Sequence, residues 1–181
     1  MLQILQKNPN FTYYYNNYDD VRYGGKMDYL TSEESLINSE GMINERLRED
    51  LLTEAKKSLH KAYATYSGIL VGAAVLTKAG NIFAGCNVEN SSYPLTMCAE
   101  RNAVATAVAA EGREVKISVV LVVAEQSDGI SFPISPCGAC RQVITEFSDD
   151  CIIIYQNEDG REISISIDKL LPDAFSLKNK V

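Results

Sequence analysis

Three thiols and one carboxylate are the side chains in this sequence best placed to do chemistry. Cys137 and Cys140 stand in Pro136-Cys137-Gly138-Ala139-Cys140, and Cys98 stands upstream in Cys98-Ala99-Glu100. At the start of a helix, a spacing of three turns both sulfurs of the pair to one side. Pro136 suits such a start, where its missing N–H leaves nothing unpaired. Cys98 opens a different helix, so two facing helix N-termini would present three thiolates to one cation. That leaves one tetrahedral position open, which is the arrangement of a catalytic zinc site rather than a structural one.

Three thiolates around Zn²⁺ leave one net negative charge, which weakens the metal's pull on a water. The positive ends of both helices offset this. Arg101 and Arg141, each next to a cysteine motif, are expected to donate to the sulfurs. Glu100 is close to the metal without being needed to bind it, so it can carry protons between a water and a substrate nitrogen. Three cysteines with a non-ligating glutamate resemble the zinc deaminases, in which that glutamate is the general acid and base.

The elements that must hold these groups can be read from periodicity. Ile43, Leu47, Leu51, Ala55, Leu59 and Ala62 recur as one face of an amphipathic helix. Ile69 to Thr77 and Ile82 to Val88 are apolar, β-branched runs joined by a Lys78-Ala79-Gly80-Asn81 turn, the pattern of a hairpin. Cys98 to Glu111 is an alanine-rich helix ending at Gly112, and Ile117 to Ala124 reads as a central strand covered on both faces. Cys137 to Phe147 is helical, Cys151 to Tyr155 and Glu162 to Ile167 are strands, and a short helix starts at Asp168 and stops before Pro172. This order gives an α/β layer architecture.

With these motifs in place, the stretch from about Glu54 to Phe175 is similar to the cytidine deaminases of the small, three-cysteine, homotetrameric type. The matching segments are AYATYS (62–67), VGAA (71–74), GCNVEN (85–90), CAER (98–101), SPCGACRQVITEF (135–147) and LLPDAF (170–175). The resemblance implies a three-layer α/β/α fold with a mixed five-stranded sheet. It also implies Zn²⁺ on Cys98, Cys137 and Cys140, with Glu100 as proton carrier. Asn87 and Glu89 would bind the ribose 3′-hydroxyl, which is both donor and acceptor and so suits an amide and a carboxylate two apart on a strand. Ile69 and Ala99 would complete the substrate pocket. Phe175 would reach a neighbouring subunit's site, and the region of Tyr93 would cross an interface.

Ile69 departs from the pattern, because these proteins usually carry phenylalanine at that place. An aliphatic wall leaves more room, so a deaminase for a modified cytosine nucleoside, N4-substituted or of the blasticidin-S kind, stands beside the cytidine reading. A zinc-stabilised binding protein without catalysis is a third. A nucleic-acid substrate is not expected: 17 Lys and Arg against 24 Asp and Glu give a net charge of -7, the reverse of a basic footprint. No apolar run is long enough to cross a bilayer and the N-terminus does not read as a signal peptide, so a cytoplasmic location and no membrane partner are expected. Five cysteines, three at metal spacing, fit a reducing compartment.

Residues 1–42 hold six of the ten tyrosines and no clean periodicity. They read as an arm that packs on its own subunit or a neighbour, or as a recognition tail, ahead of a catalytic domain at 43–181. Cys86 and Cys151 are expected in the core, Tyr63 and Tyr66 in packing roles, and His60 partly exposed and away from the metal.

Overall fold

A computed structural model of the chain describes residues 43–148 and 150–177; the arm expected at 1–42 lies outside them. The first helix, α1 (Glu45–Leu59), starts where the Asn44 side chain accepts the N–H groups of Arg46 and Leu47. Its inward stripe is the one seen in the sequence: Leu47, Leu51, Ala55 and Leu59 are at most 1% exposed. Four strands and two helices follow in the order β1 (Ile69–Thr77), β2 (Ile82–Cys86), α2 (Ala99–Glu111), β3 (Ile117–Gln126), α3 (Gly138–Glu146) and β4 (Ile152–Gln156). The chain continues with β5 (Glu162–Ser166) and a short α4 (Ile167–Leu170).

The five strands form one sheet in the order β2-β1-β3-β4-β5. β3 and β4 run parallel and the other pairs antiparallel, so the sheet is mixed, as expected. The parallel pair needs a crossover, and α3 provides it. β3 is the central strand.

Alternation along the strands gives each face its own core. On one face Ala74, Leu76, Ile82, Val119, Leu121 and Ile154 pack with the stripe of α1. On the other, Ala73, Val75, Val120 and Val122 pack with Ala99, Ala103, Val104 and Ala107 of α2 and Ile144 of α3. Helices on both faces make the three layers. Among the described residues, no helix is long and apolar enough to cross a membrane.

One strand boundary differs from the expectation. β2 ends at Cys86 rather than Val88 because the Asn87 side chain takes over the pairing with β1. Its Oδ1 accepts the Val71 N–H at 2.9 Å and its Nδ2 donates to the Ile69 carbonyl at 2.9 Å. The Asn87 N–H still donates to the Val71 carbonyl at 3.1 Å, and from there the backbone turns to new partners: Val88 bridges Tyr63 on one side and Met97 on the other.

Candidate active site

The site is built where α2 and α3 begin. Cys98 and Cys137 are the residues that precede the two helices, both in extended conformation, and Cys140 lies in the first turn of α3. At these points backbone N–H groups lack intrahelical acceptors and the helix dipole is positive, so each start favours a negatively charged sulfur. The Cys98 and Cys137 sulfurs are 4.0 Å apart, those of Cys137 and Cys140 3.5 Å, and all three lie within 4.8 Å of one another. Ligands 2.3 Å from a tetrahedral zinc are separated by about 3.8 Å, so the spacing matches that metal.

The electrostatics agree. Hydrogen bonding to Cys140 holds the Cys98 thiol far below its ordinary value against the opposing effect of burial, and Cys137 and Arg101 add to the effect. The same contact with Cys98, together with burial and the nearby Glu100 and Cys98 charges, pushes Cys140 up. Sulfurs this close compete for negative charge, and a divalent cation relieves the competition. Arg101 supplies more positive charge. Its Nη2 donates to the Thr96 carbonyl at 2.6 Å, while its Nε is the one buried side-chain nitrogen or oxygen among the described residues that has no partner. An orphan donor on a residue whose charge acts on Cys98 suits a sulfur that is charged and bound to a metal. The residues therefore fit Zn²⁺.

Glu100, in the first turn of α2, is 4% exposed. Burial, reinforced by the Cys98 charge, raises its carboxyl above the usual range, although the helix N-terminus and Arg101 pull the other way. A raised pKa suits a group that must both take and give a proton near neutral pH. Glu100 opens into a cavity of about 220 Å³, together with Cys98, Cys137, Ala99, Ile69, Val71 and Asn87. The cavity also takes in Thr96 and Ile134, which no sequence motif marks, and Ser67 and Ser135, which the sequence marks only as ends of matching segments. A larger hollow of about 380 Å³ lies beside α1 and shares Ile134 with the first, but no thiol and no Glu100 line it.

Other expected site residues have different surroundings. Glu89 is buried and does not line the cavity; it sits behind Ser67, which hydrogen-bonds it. Arg141 does not turn to a sulfur: Nε donates to Pro136 O, Nη1 to Leu170 O and Nη2 to Ser135 Oγ. Its fork ties the loop before α3 to the end of α4, which fixes the start of α3 indirectly. Phe175 is 66% exposed and stands off this subunit's cavity, with its backbone gripped by Gln142.

Cys151 is fully buried as expected, whereas Cys86 is only half-buried. His60 ends α1 and is exposed, away from the thiols. Tyr63 and Tyr66 are not packed inside: they are 52% and 46% exposed, and the Tyr66 ring meets that of Tyr93 at 6.1 Å.

The chain is similar to known proteins along the same stretch. Residues 45–156 match the model of the cytidine and deoxycytidylate deaminase zinc-binding region. A cytidine deaminase of Sporosarcina psychrophila is 46% identical over 129 residues, which cover 71% of this chain and 90% of the relative. One of Halalkalibacterium halodurans is 39% identical over 133 residues, covering 73% and 96%. The crystal structure of cytidine deaminase from Burkholderia pseudomallei superposes with a TM-score of 0.62 at 44% identity, covering 70% of this chain and 98% of that one. A three-thiol cluster with zinc geometry, a buried glutamate beside it and these matches converge: the chain belongs to the cytidine and deoxycytidylate deaminase family, with Zn²⁺ as its cofactor.

Proposed function

We propose that the chain hydrolytically deaminates cytidine and deoxycytidine, releasing ammonia and giving uridine and deoxyuridine for pyrimidine salvage. The observation that carries this reading is the burial of Glu100 against Cys98, Cys137 and Cys140 at the wall of a cavity small enough for one nucleoside. Cys98, Cys137 and Cys140 would hold Zn²⁺, which supplies Lewis acidity that lowers the pKa of a water from about 15.7 toward neutrality.

Glu100 does the proton work. Its carboxylate takes a proton from that water and gives it to N3 of the cytosine ring, making C4 electrophilic. Once the water oxygen has added at C4, Glu100 takes the remaining proton from that hydroxyl and passes it to the amino group. The C4–N bond then breaks, ammonia leaves and a C4 carbonyl remains. Burial helps both transfers, because it keeps competing water away and lifts the carboxyl toward the working pH.

Asn87 and Glu89 would take the sugar. Each has capacity left after its own chain is satisfied: Asn87 keeps a second Nδ2 hydrogen, and the Glu89 Oε1 accepts only the Ser67 hydroxyl. A site built around a sugar hydroxyl rejects a bare base, since its polar groups would lose their partner. Ile69 and Ala99 give the base an apolar wall. The exposed Phe175 and the exposed Tyr66–Tyr93 pair offer apolar surface to a neighbouring subunit, which supports a homotetramer with shared sites. The acidic net charge of -7 supports free nucleosides rather than nucleic acid as substrates. On this proposal the enzyme works in the cytoplasm, away from membranes. In this reading the catalytic domain occupies 43–181 and the arm 1–42 is additional to it.

The test is turnover of cytidine by the purified full-length chain, with uridine and ammonia both followed, next to Glu100→Gln. The wild-type protein is expected to produce the two in equal amounts. Glu100→Gln should retain zinc and lose about a hundredfold to ten-thousandfold in kcat. A zinc-loaded wild type that leaves cytidine untouched, or a variant that keeps near wild-type rates, would overturn the assignment.

A further inference from the structure

The Glu89 carboxylate is held by donors from a single turn. The Ser67 hydroxyl donates to Oε1 at 2.5 Å, and the backbone N–H groups of Tyr66 and Ser67 donate to Oε2 at 2.7 and 3.2 Å. The Ser67 hydroxyl is itself oriented. Its oxygen accepts the Ile69 N–H at 3.0 Å, a local contact made possible by Gly68 at φ +69°, so its proton is left pointing at Glu89. Ser67 is exposed and lines the cavity, while Glu89 is buried and does not line it.

An exposed serine whose hydroxyl is aimed at a buried acid adds little to packing. From this arrangement we propose that Ser67 is a positioning residue for substrate recognition, fixing Glu89 as an ionised, acceptor-only group that demands a hydroxyl donor on the sugar. The inference rests on the nucleoside-deaminase reading above. With Oε2 filled by two backbone donors and one side of Oε1 filled by Ser67, a single lone-pair direction remains for the ligand. Without the Ser67 hydroxyl only the two backbone donors on Oε2 remain, so Oε1 loses the contact that sets its free direction. The loss therefore falls on sugar recognition, with the proton chemistry at Glu100 largely outside it.

The experiment is a double-mutant cycle with Ser67→Ala and Glu89→Gln, read as KM and kcat for cytidine and for 3′-deoxycytidine. Hydrogen bonds to charged groups carry enough energy for a change of about tenfold or more. Ser67→Ala is expected to raise the KM for cytidine about tenfold, with a much smaller change in kcat, and to shrink the preference for cytidine over its 3′-deoxy analogue. Ser67→Thr, which keeps the hydroxyl, should restore both. In the Glu89→Gln background, Ser67→Ala should add little, because coupled residues are not additive.

Equal effects of Ser67→Ala in both backgrounds, a loss confined to kcat, or failure of threonine to rescue would each overturn the role. Thermal unfolding of every variant shows whether a loss reflects folding instead. Absence of turnover in the wild type would sink the underlying reading, and that outcome is distinct from an additive cycle in an active enzyme.

Discussion

Gly85 of β2 lies so close beneath α2 that a Cβ built on it would stand 2.4 Å from the backbone nitrogen of Ala103. The same atom would stand 2.7 Å from the Ala99 carbonyl oxygen, at the turn of α2 that carries Glu100. The missing side chain thus sets the height of α2 above the sheet, and with it the height of Cys98 and Glu100.

Gly85→Ala should push α2 outward. The contacts are backbone atoms, which cannot swing aside, so overpacking is expected to cost about 1–3 kcal/mol. Urea unfolding should show a lower midpoint. Zinc affinity and kcat should fall together, because Cys98 and Glu100 ride on the displaced helix. A variant with unchanged midpoint and unchanged turnover would show that α2 is positioned by something other than this contact.

Much of this arrangement is legible in the sequence, and the limit has a physical cause. The stripe of α1, the hairpin and the two cysteine-bearing helix starts are local patterns, set by residues a few positions apart. The thiols and Glu100 come together because each sits at a helix start, which local composition reveals. The partners of Arg141 and Glu89 are different. Arg141 reaches the Leu170 carbonyl and Glu89 the Ser67 hydroxyl across 29 and 22 positions of chain. No periodicity encodes such bonds, so only the fold shows that Arg141 turns to backbone carbonyls instead of a sulfur and that Ser67 meets Glu89. Asn87 falls between: its strand context is visible, but not that its amide completes the β1 ladder.

The thiols should differ sharply in what their loss does. Cys137→Ala and Cys98→Ala each remove one of three sulfurs that bring two helix starts together, so zinc content measured by plasma mass spectrometry should fall from about one per chain toward zero. The melting temperature should fall with it. Cys151→Ala should lower the melting temperature through a core cavity while leaving zinc stoichiometry intact. Burial pushes the Cys151 thiol up to about 12, so it should also resist alkylation at neutral pH in the folded protein. Full zinc loading in Cys137→Ala would remove that residue from the ligand set.

Glu89 gives the stability a specific pH dependence. Burial alone would raise its carboxyl, but hydrogen bonds from the Ser67 hydroxyl and the Tyr66 and Ser67 N–H groups prevail and hold it below the ordinary 4.5. A folded-state pKa lower than the unfolded one contributes stability that is complete above the unfolded value and fades as pH falls through the folded one. The difference in unfolding free energy between wild type and Glu89→Gln should therefore be constant from neutral pH down to about 5 and shrink below it. Denaturation series at several pH values measure this directly. Acid effects on the metal site are common to both proteins and cancel in the comparison. A difference that grows toward low pH would mean that Glu89 is not held as an anion.

Gln142 and Phe175 offer the sharpest test of whether sites are shared. The side-chain amide of Gln142 grips the Phe175 backbone twice, donating from Nε2 to its carbonyl at 2.8 Å and accepting its N–H on Oε1 at 3.1 Å. An aromatic ring 66% exposed on a backbone held this way presents apolar surface that another subunit could cover. If that place is a neighbour's substrate cavity, light scattering should give about four times the 20.0 kDa of one chain. Phe175→Ala should then raise the KM for cytidine without touching zinc content, and Gln142→Ala should do the same more weakly by loosening the segment that presents the ring. Mixing active Phe175→Ala subunits with Glu100→Gln subunits that still carry Phe175 separates the two geometries. A shared site should recover low-KM turnover in mixed assemblies, because the intact ring enters the cavity that has its glutamate. A ring that folds back onto its own subunit's cavity would give no recovery, and a monomer in solution would rule out sharing altogether.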